Sequence, residues 1–211
     1  MSRKLTYFEL NGLAEAIRYI LHYSGKKFED VRLDLNTWPV KEIKDSLPFG
    51  QVPLFQEDGR TLHQSIAIAR YVAAGTELLP TDPWEQAVLD AAVLTVYDFD
   101  KRNHDNYDLK EARKQLYDQH LDFFFSRFEK QLNENNGFLG GKLSWADFIF
   151  VGIIECANLF LKDNIAKNYP KINELVEKIP ELPGVKDYVA TRKPYVPCNR
   201  FKKSVKIDNR D

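Results

Sequence analysis

The sequence predicts a mixed α/β amino-terminal half built on a four-stranded sheet, followed by an all-helical carboxy-terminal half. Three observations carry this. Strand and helix patterns alternate over the first 75 residues. A polar segment with two prolines, TELLPTDPW (76–84), then interrupts them. Beyond it, apolar residues recur only at helical spacing, with no convincing strand.

LTYFEL (5–10) alternates and predicts a strand. LAEAIRYILHYS (13–24) sets Leu13, Ile17, Ile20 and Leu21 on one face of a helix that Gly25 closes. VRLDL (31–35) alternates again. QVPLF, the turn Glu57-Asp58-Gly59-Arg60, and TLH predict a hairpin, and SIAIARYVAA (65–74) a helix ending at Gly75. The order is βαβ, a connection, then ββα: residues 1–75 form one domain and 76–83 a linker.

In the second domain, 84–211, Asp82 caps a helix with Pro83 at its first position and Glu85 three residues after the cap. Val88, Ala92, Thr95 and Phe99 follow at helical spacing. Leu109, Ala112, Leu116, Phe124, Phe128 and Leu132 form one stripe, ending at Asn136-Gly137. Ser144 and Asp147 form a capping box, with Leu143 and Phe148 as a staple, for a buried helix over 145–161. Ile172, Leu175, Val176 and Ile179 mark another helix, and 185–191 a short last one. From about 193 the chain is polar and mostly basic, without an apolar period, and reads as a disordered tail, or as one folded over the second-substrate site.

The 211 residues carry a formal charge of −1, so no electrostatic footprint for nucleic acid exists. The first residues hold no apolar stretch of signal-peptide length. The longest apolar run, Phe148 to Leu161, is too short to span a bilayer. Cys156 and Cys198 make neither a disulfide framework nor metal spacing. A cytoplasmic protein without metal or membrane partners is expected.

Pro53 stands where the third strand should begin, although proline cannot donate to a ladder. A βαβ-ββα order with proline opening that strand is the thioredoxin-like arrangement. Asn11-Gly12-Leu13-Ala14 occupies the place of a redox Cys-x-x-Cys, so any sulfur chemistry needs a thiol brought by a ligand.

LTYFEL, Trp38-Pro39, LPFGQVP (47–53), HQSIAIARY (63–71) and SWADF (144–148) together resemble the cytosolic glutathione transferases, most closely the sigma class, across residues 4 to about 195. That class includes invertebrate transferases, haematopoietic prostaglandin D synthases and cephalopod lens crystallins. The resemblance implies a cis Val52-Pro53 bond that turns the Val52 main chain toward the cysteinyl unit of glutathione. It assigns Gln64 and Ser65, at a helix start suited to a carboxylate, to the γ-glutamyl end. Trp38 and Lys44 hold the glycyl end, with Lys41 as a competitor for Lys44. Phe8, Leu13, Gln51 and Pro53 complete the glutathione site. Asp98 reaches across a homodimer to the partner's glutathione.

The resemblance makes Tyr7 the catalytic residue, its hydroxyl donating to the glutathione sulfur. A free thiol has a pKa near 8.5, and lowering it by ~2 units takes about 2.7 kcal/mol. One hydrogen bond to a charged acceptor supplies ~1.5–3 kcal/mol, so a single phenol suffices. The second, small and hydrophobic electrophile is expected near Phe8, Leu13, Phe99, Arg102, Asn103, Ile149 and Ile153. Conjugation and peroxide reduction are the implied reactions.

Three departures stand out. Leu13 replaces an arginine that helps polarise the tyrosine–thiolate pair in sigma enzymes. Gln51 replaces a lysine seen in some members. Asp100 and Asp105 fall where prostaglandin synthases carry apolar or aromatic groups, and Tyr97 replaces an aspartate tied there to divalent-metal activation. These argue against prostaglandin isomerase activity. They leave a second reading, a non-catalytic carrier or crystallin-like relative.

Overall fold

The computed structural model describes residues 2–104 and 110–193, the side chains of residues 101–117 and 119 excepted. Leu109, Asp105, Cys198 and the tail from 194 lie outside the described residues, as do the side chains of Ala112 and Leu116.

Four strands form one sheet: β1 (Arg3–Phe8), β2 (Glu29–Leu33), β3 (Leu54–Glu57) and β4 (Arg60–His63), in the order β2-β1-β3-β4. β1 and β2 run parallel, and the other pairs antiparallel. Leu5 stands opposite Phe55, and both are buried. Asp58 and Gly59 carry the two positive φ angles, 48° and 79°, that a two-residue hairpin needs.

A 3-10 turn, Gly12–Ala14, leads into α1 (Glu15–Tyr23), and α3 (Ser65–Ala73) follows the hairpin. The helix expected from residue 13 thus starts two residues later, and Leu13 leaves the buried stripe of Ile17, Ile20 and Leu21. A short α2 (Lys41–Ser46) was not expected; it has no buried residue, so no apolar period announces it. Val52-Pro53 is cis, as the resemblance implied, and so is Trp38-Pro39.

The rest is helical: α4 (Pro83–His104), α5 (Lys110–Glu134), α6 (Trp145–Leu161), α7 (Pro170–Lys178) and α8 (Val185–Thr191). Asp82 caps α4, its Oδ1 accepting from the Glu85 N–H at 2.9 Å. The expected α4 stripe is partly wrong: Val88 and Thr95 are exposed, and Leu89, Ala92, Val93, Val96 and Phe99 face the core. The segment VLDAAVLTV is apolar on two faces, so spacing alone allowed both.

At α6, the Ser144 N–H and hydroxyl both donate to Asp147 Oδ2 at 2.8 Å, and the Leu139 N–H donates to Oδ1. This box buries a carboxyl yet satisfies it. α6 is the central helix, and α1 packs on both α3 and α6. At the α1–α6 contact a Cβ on Gly152 would stand 3.4 Å from that of Ala16, so the two backbones approach closely. One continuous hydrophobic cluster therefore joins the sheet to the helical half. None of the described helices is long and apolar enough to cross a membrane.

Candidate functional site

The β1–β3 register stops at Thr6 opposite Leu54, which leaves Val52 and Pro53 outside the ladder. They form one wall of a cleft of about 310 Å³ above the end of the sheet. Gly50, Gln51 and Phe49 continue that wall. Phe8, Leu13 and Trp38 face it, and His63, Gln64 and Ser65 close its end. Most of the expected glutathione-site residues thus meet in one place.

Gln64 is the cap of α3, with φ 72° and ψ 116°. Such a conformation costs a non-glycine residue roughly 1–3 kcal/mol and is held only where its surroundings enforce it. It turns the chain so that Ser65 opens the helix inside the cleft, where the first N–H groups of a helix lack intrahelical acceptors. The Ser65 hydroxyl lies 2.7 Å from the Tyr97 hydroxyl.

Tyr7 is the penultimate residue of β1, 6% exposed, its ring 5.2 Å from that of Phe8, which meets Trp38 edge-on at 5.3 Å. The Leu13 N–H donates to the Tyr7 hydroxyl oxygen at 3.2 Å. Burial pushes the phenol's pKa well above its ordinary value, a shift that the Leu13 hydrogen bond partly offsets. Tyr7 is therefore a proton donor at neutral pH, not a base. Gly12 makes this approach feasible: its φ is +46°, and a Cβ there would stand 2.8 Å from the Tyr7 hydroxyl oxygen.

Tyr7 does not line that cleft; it lines a second, mainly apolar cavity of about 200 Å³. Phe8 and Leu13 belong to both spaces. Ile153, Cys156 and Phe160 of α6, Leu35 beyond β2, Leu10, Gly12 and Asp100 of α4 complete it. Leu10, Leu35, Cys156 and Phe160 were not anticipated. They come together only when α6 docks on the loop after β1, and no local spacing reports that contact.

Several expected residues lie elsewhere. Phe99 is core, packed against Phe124 and Phe125, and Ile149 is buried in α6; neither lines a described cavity. The side chains of Arg102 and Asn103 lie outside the described residues. Lys44 is not in the cleft wall, although a Cβ on Gly50 would stand 3.0 Å from its Cε, so its stem lies against the rim. Lys41 instead pairs with Asp45. Asp98 is exposed and touches neither cavity within one chain.

Behind the site lies a buried charge network. Arg18 and Glu15, both fully buried, pair at 3.0 Å, and Arg18 reaches Asp30 at 3.1 Å. Arg18 also donates to the Leu10 carbonyl at 2.9 Å, and its guanidinium carbon sits 5.8 Å from the Tyr7 ring centre. Arg192, following α8, reaches Glu15 at 2.6 Å. Charges buried this deeply need every partner, and this network fixes the Leu10–Gly12 loop that carries the site.

A thioredoxin-like sheet with a cis-proline cleft, joined to a helical half, defines the glutathione-transferase class of fold. Residues 3–74 match the family model for the glutathione S-transferase N-terminal domain, and residues 95–192 that for the C-terminal domain. A glutathione S-transferase from Anopheles gambiae is 35% identical over 196 residues, covering 90% of this chain and 96% of its own. Human haematopoietic prostaglandin D synthase is 35% identical over 193 residues, with the same coverage. The structure of prostaglandin synthase D from Nilaparvata lugens superposes with a TM-score of 0.83 at 34% identity, covering 93% of this chain and 100% of that one. The chain belongs to the glutathione S-transferase family.

Proposed function

We propose that this chain is a sigma-class-type transferase that ionises the glutathione thiol for attack on small hydrophobic electrophiles. Glutathione occupies the 310 Å³ cleft. The Val52 main chain pairs with its cysteinyl unit, Gln64 and Ser65 hold the γ-glutamyl end, and Trp38 and Lys44 hold the glycyl end. Tyr7 donates to the sulfur, and the electrophile lies in the second cavity. The observation that carries this reading is the Leu13 N–H bound to the Tyr7 oxygen beside both spaces. Because that oxygen accepts from the backbone, its own hydrogen is left for the sulfur.

The working form is a cytoplasmic homodimer with a detoxifying role, in which Asp98, exposed in the single chain, reaches the partner's glutathione. Conjugation is the primary reaction and peroxide reduction a second outlet for the same thiolate. Asp100 in the second cavity disfavours a fatty carboxylate such as a prostaglandin, by like-charge repulsion.

The test is turnover of a chlorinated nitroaromatic with glutathione, in wild type and Tyr7→Phe. Loss of most turnover in the variant is expected. Unchanged turnover would discard Tyr7 as the donor. A wild type that binds glutathione without turning over would be a carrier instead.

A further inference from the structure

We propose that Tyr97 is a positioning residue for the γ-glutamyl carboxylate, acting through Ser65; this rests on the glutathione reading above. Ser65 opens α3 in the cleft, nearly buried, and its hydroxyl lies 2.7 Å from the Tyr97 hydroxyl of α4. A serine hydroxyl has one hydrogen and two lone pairs. If Ser65 donated to Tyr97, it could not donate to a ligand. If Tyr97 donates, the Ser65 hydrogen is freed to turn into the cleft.

A carboxylate selects the second arrangement. The relay Tyr97 O–H to Ser65 O–H to carboxylate aligns two dipoles toward one negative charge, and each bond strengthens the other. The phenol is suited to the donor end, since burial pushes its pKa up to about 12 and keeps it protonated. The two hydroxyls come from different halves of the fold, because Ser65 begins α3 and Tyr97 lies midway along α4. Asp100, one turn further along the same face of α4, lines the second cavity. One helix therefore supports the carboxylate end of the tripeptide through Ser65 and forms part of the wall of the electrophile's space. The tyrosine that departs from the synthase pattern thereby gains a task in substrate binding.

The experiment is calorimetric titration of glutathione into the full-length wild type, Tyr97→Phe, Ser65→Ala and the double variant. Tyr97→Phe removes one hydroxyl and keeps the ring, so the packing of α4 persists. We expect it to weaken glutathione binding about tenfold, with kcat at saturating glutathione nearly unchanged. The double variant should bind no worse than Ser65→Ala alone, because the two hydroxyls act in series. With glutathione amidated at its γ-glutamyl α-carboxyl, the penalty of Tyr97→Phe should vanish. Equal affinity of wild type and Tyr97→Phe, additive losses, or the same penalty against the amide would each overturn the relay while leaving the glutathione reading intact. No heat with wild type at millimolar glutathione would overturn both.

Discussion

The Leu13 N–H and the Tyr7 hydroxyl oxygen are 3.2 Å apart, and that bond orients the phenol. The main chain, not the side chain, of residue 13 thus does the orienting. Leu13 itself contributes only an apolar surface, shared by both cavities.

Leu13→Arg therefore keeps the orienting amide and adds a cation beside the sulfur position. The apparent thiol pKa should fall by roughly one unit, worth ~1.4 kcal/mol. KM for the electrophile should rise, because the larger side chain enters its cavity. Ultraviolet titration of bound thiolate measures the first effect; an unmoved pKa would show that the missing arginine has no bearing on ionisation.

Gly12→Ala places a methyl 2.8 Å from the Tyr7 hydroxyl oxygen and 2.5 Å from Leu10 Cδ1, at a φ of +46°. The donor must swing away while the carboxylate and glycyl contacts persist. We expect kcat to fall at least ~10-fold with little change in glutathione affinity. Steady-state kinetics beside calorimetry decide it, and a parallel loss of affinity would contradict a purely local displacement.

Arg18→Met strands Glu15, which is fully buried, although Arg192 still reaches it at 2.6 Å. The cost should be about 3 kcal/mol, the lower end for breaking a buried pair. Urea unfolding measures it. Lys186→Met, which breaks the exposed pair with Glu181, should leave the midpoint unchanged.

His22 stacks on Tyr188 at 4.4 Å and 14°, and burial holds its pKa below the ordinary 6.5, against an opposing pull from Asp30 and Glu15. A folded pKa below the unfolded one gives stability that is present above pH 6.5 and lost as pH falls through the folded value. The wild type should therefore lose stability between pH 7.5 and 5.5 more steeply than His22→Phe, by denaturant midpoints at each pH. Parallel slopes would remove His22 from the acid limb.

The element order was legible because its signals are local. Strand alternation at Leu5–Tyr7, the Asp58-Gly59 turn and the Ser144–Asp147 box each act within a few residues. The cleft residues came from the family resemblance that PFGQVP and HQS carry, and most of them line one cleft. The second cavity was not legible, since Leu35, Cys156 and Phe160 meet only through the docking of α6. Phe99 misled because the face of α4 that bears it turns inward to Phe124 and Phe125 rather than toward the sheet. α2 escaped notice because a helix that buries nothing leaves no apolar rhythm.

Phe8 and Leu13 serve as a party wall between two chambers. Enlarging or shrinking either one alters the room in both chambers at a single stroke. Leu35 and Phe160 border only the second chamber. A substitution at either reshapes that chamber alone and leaves the cis-proline cleft as it stands.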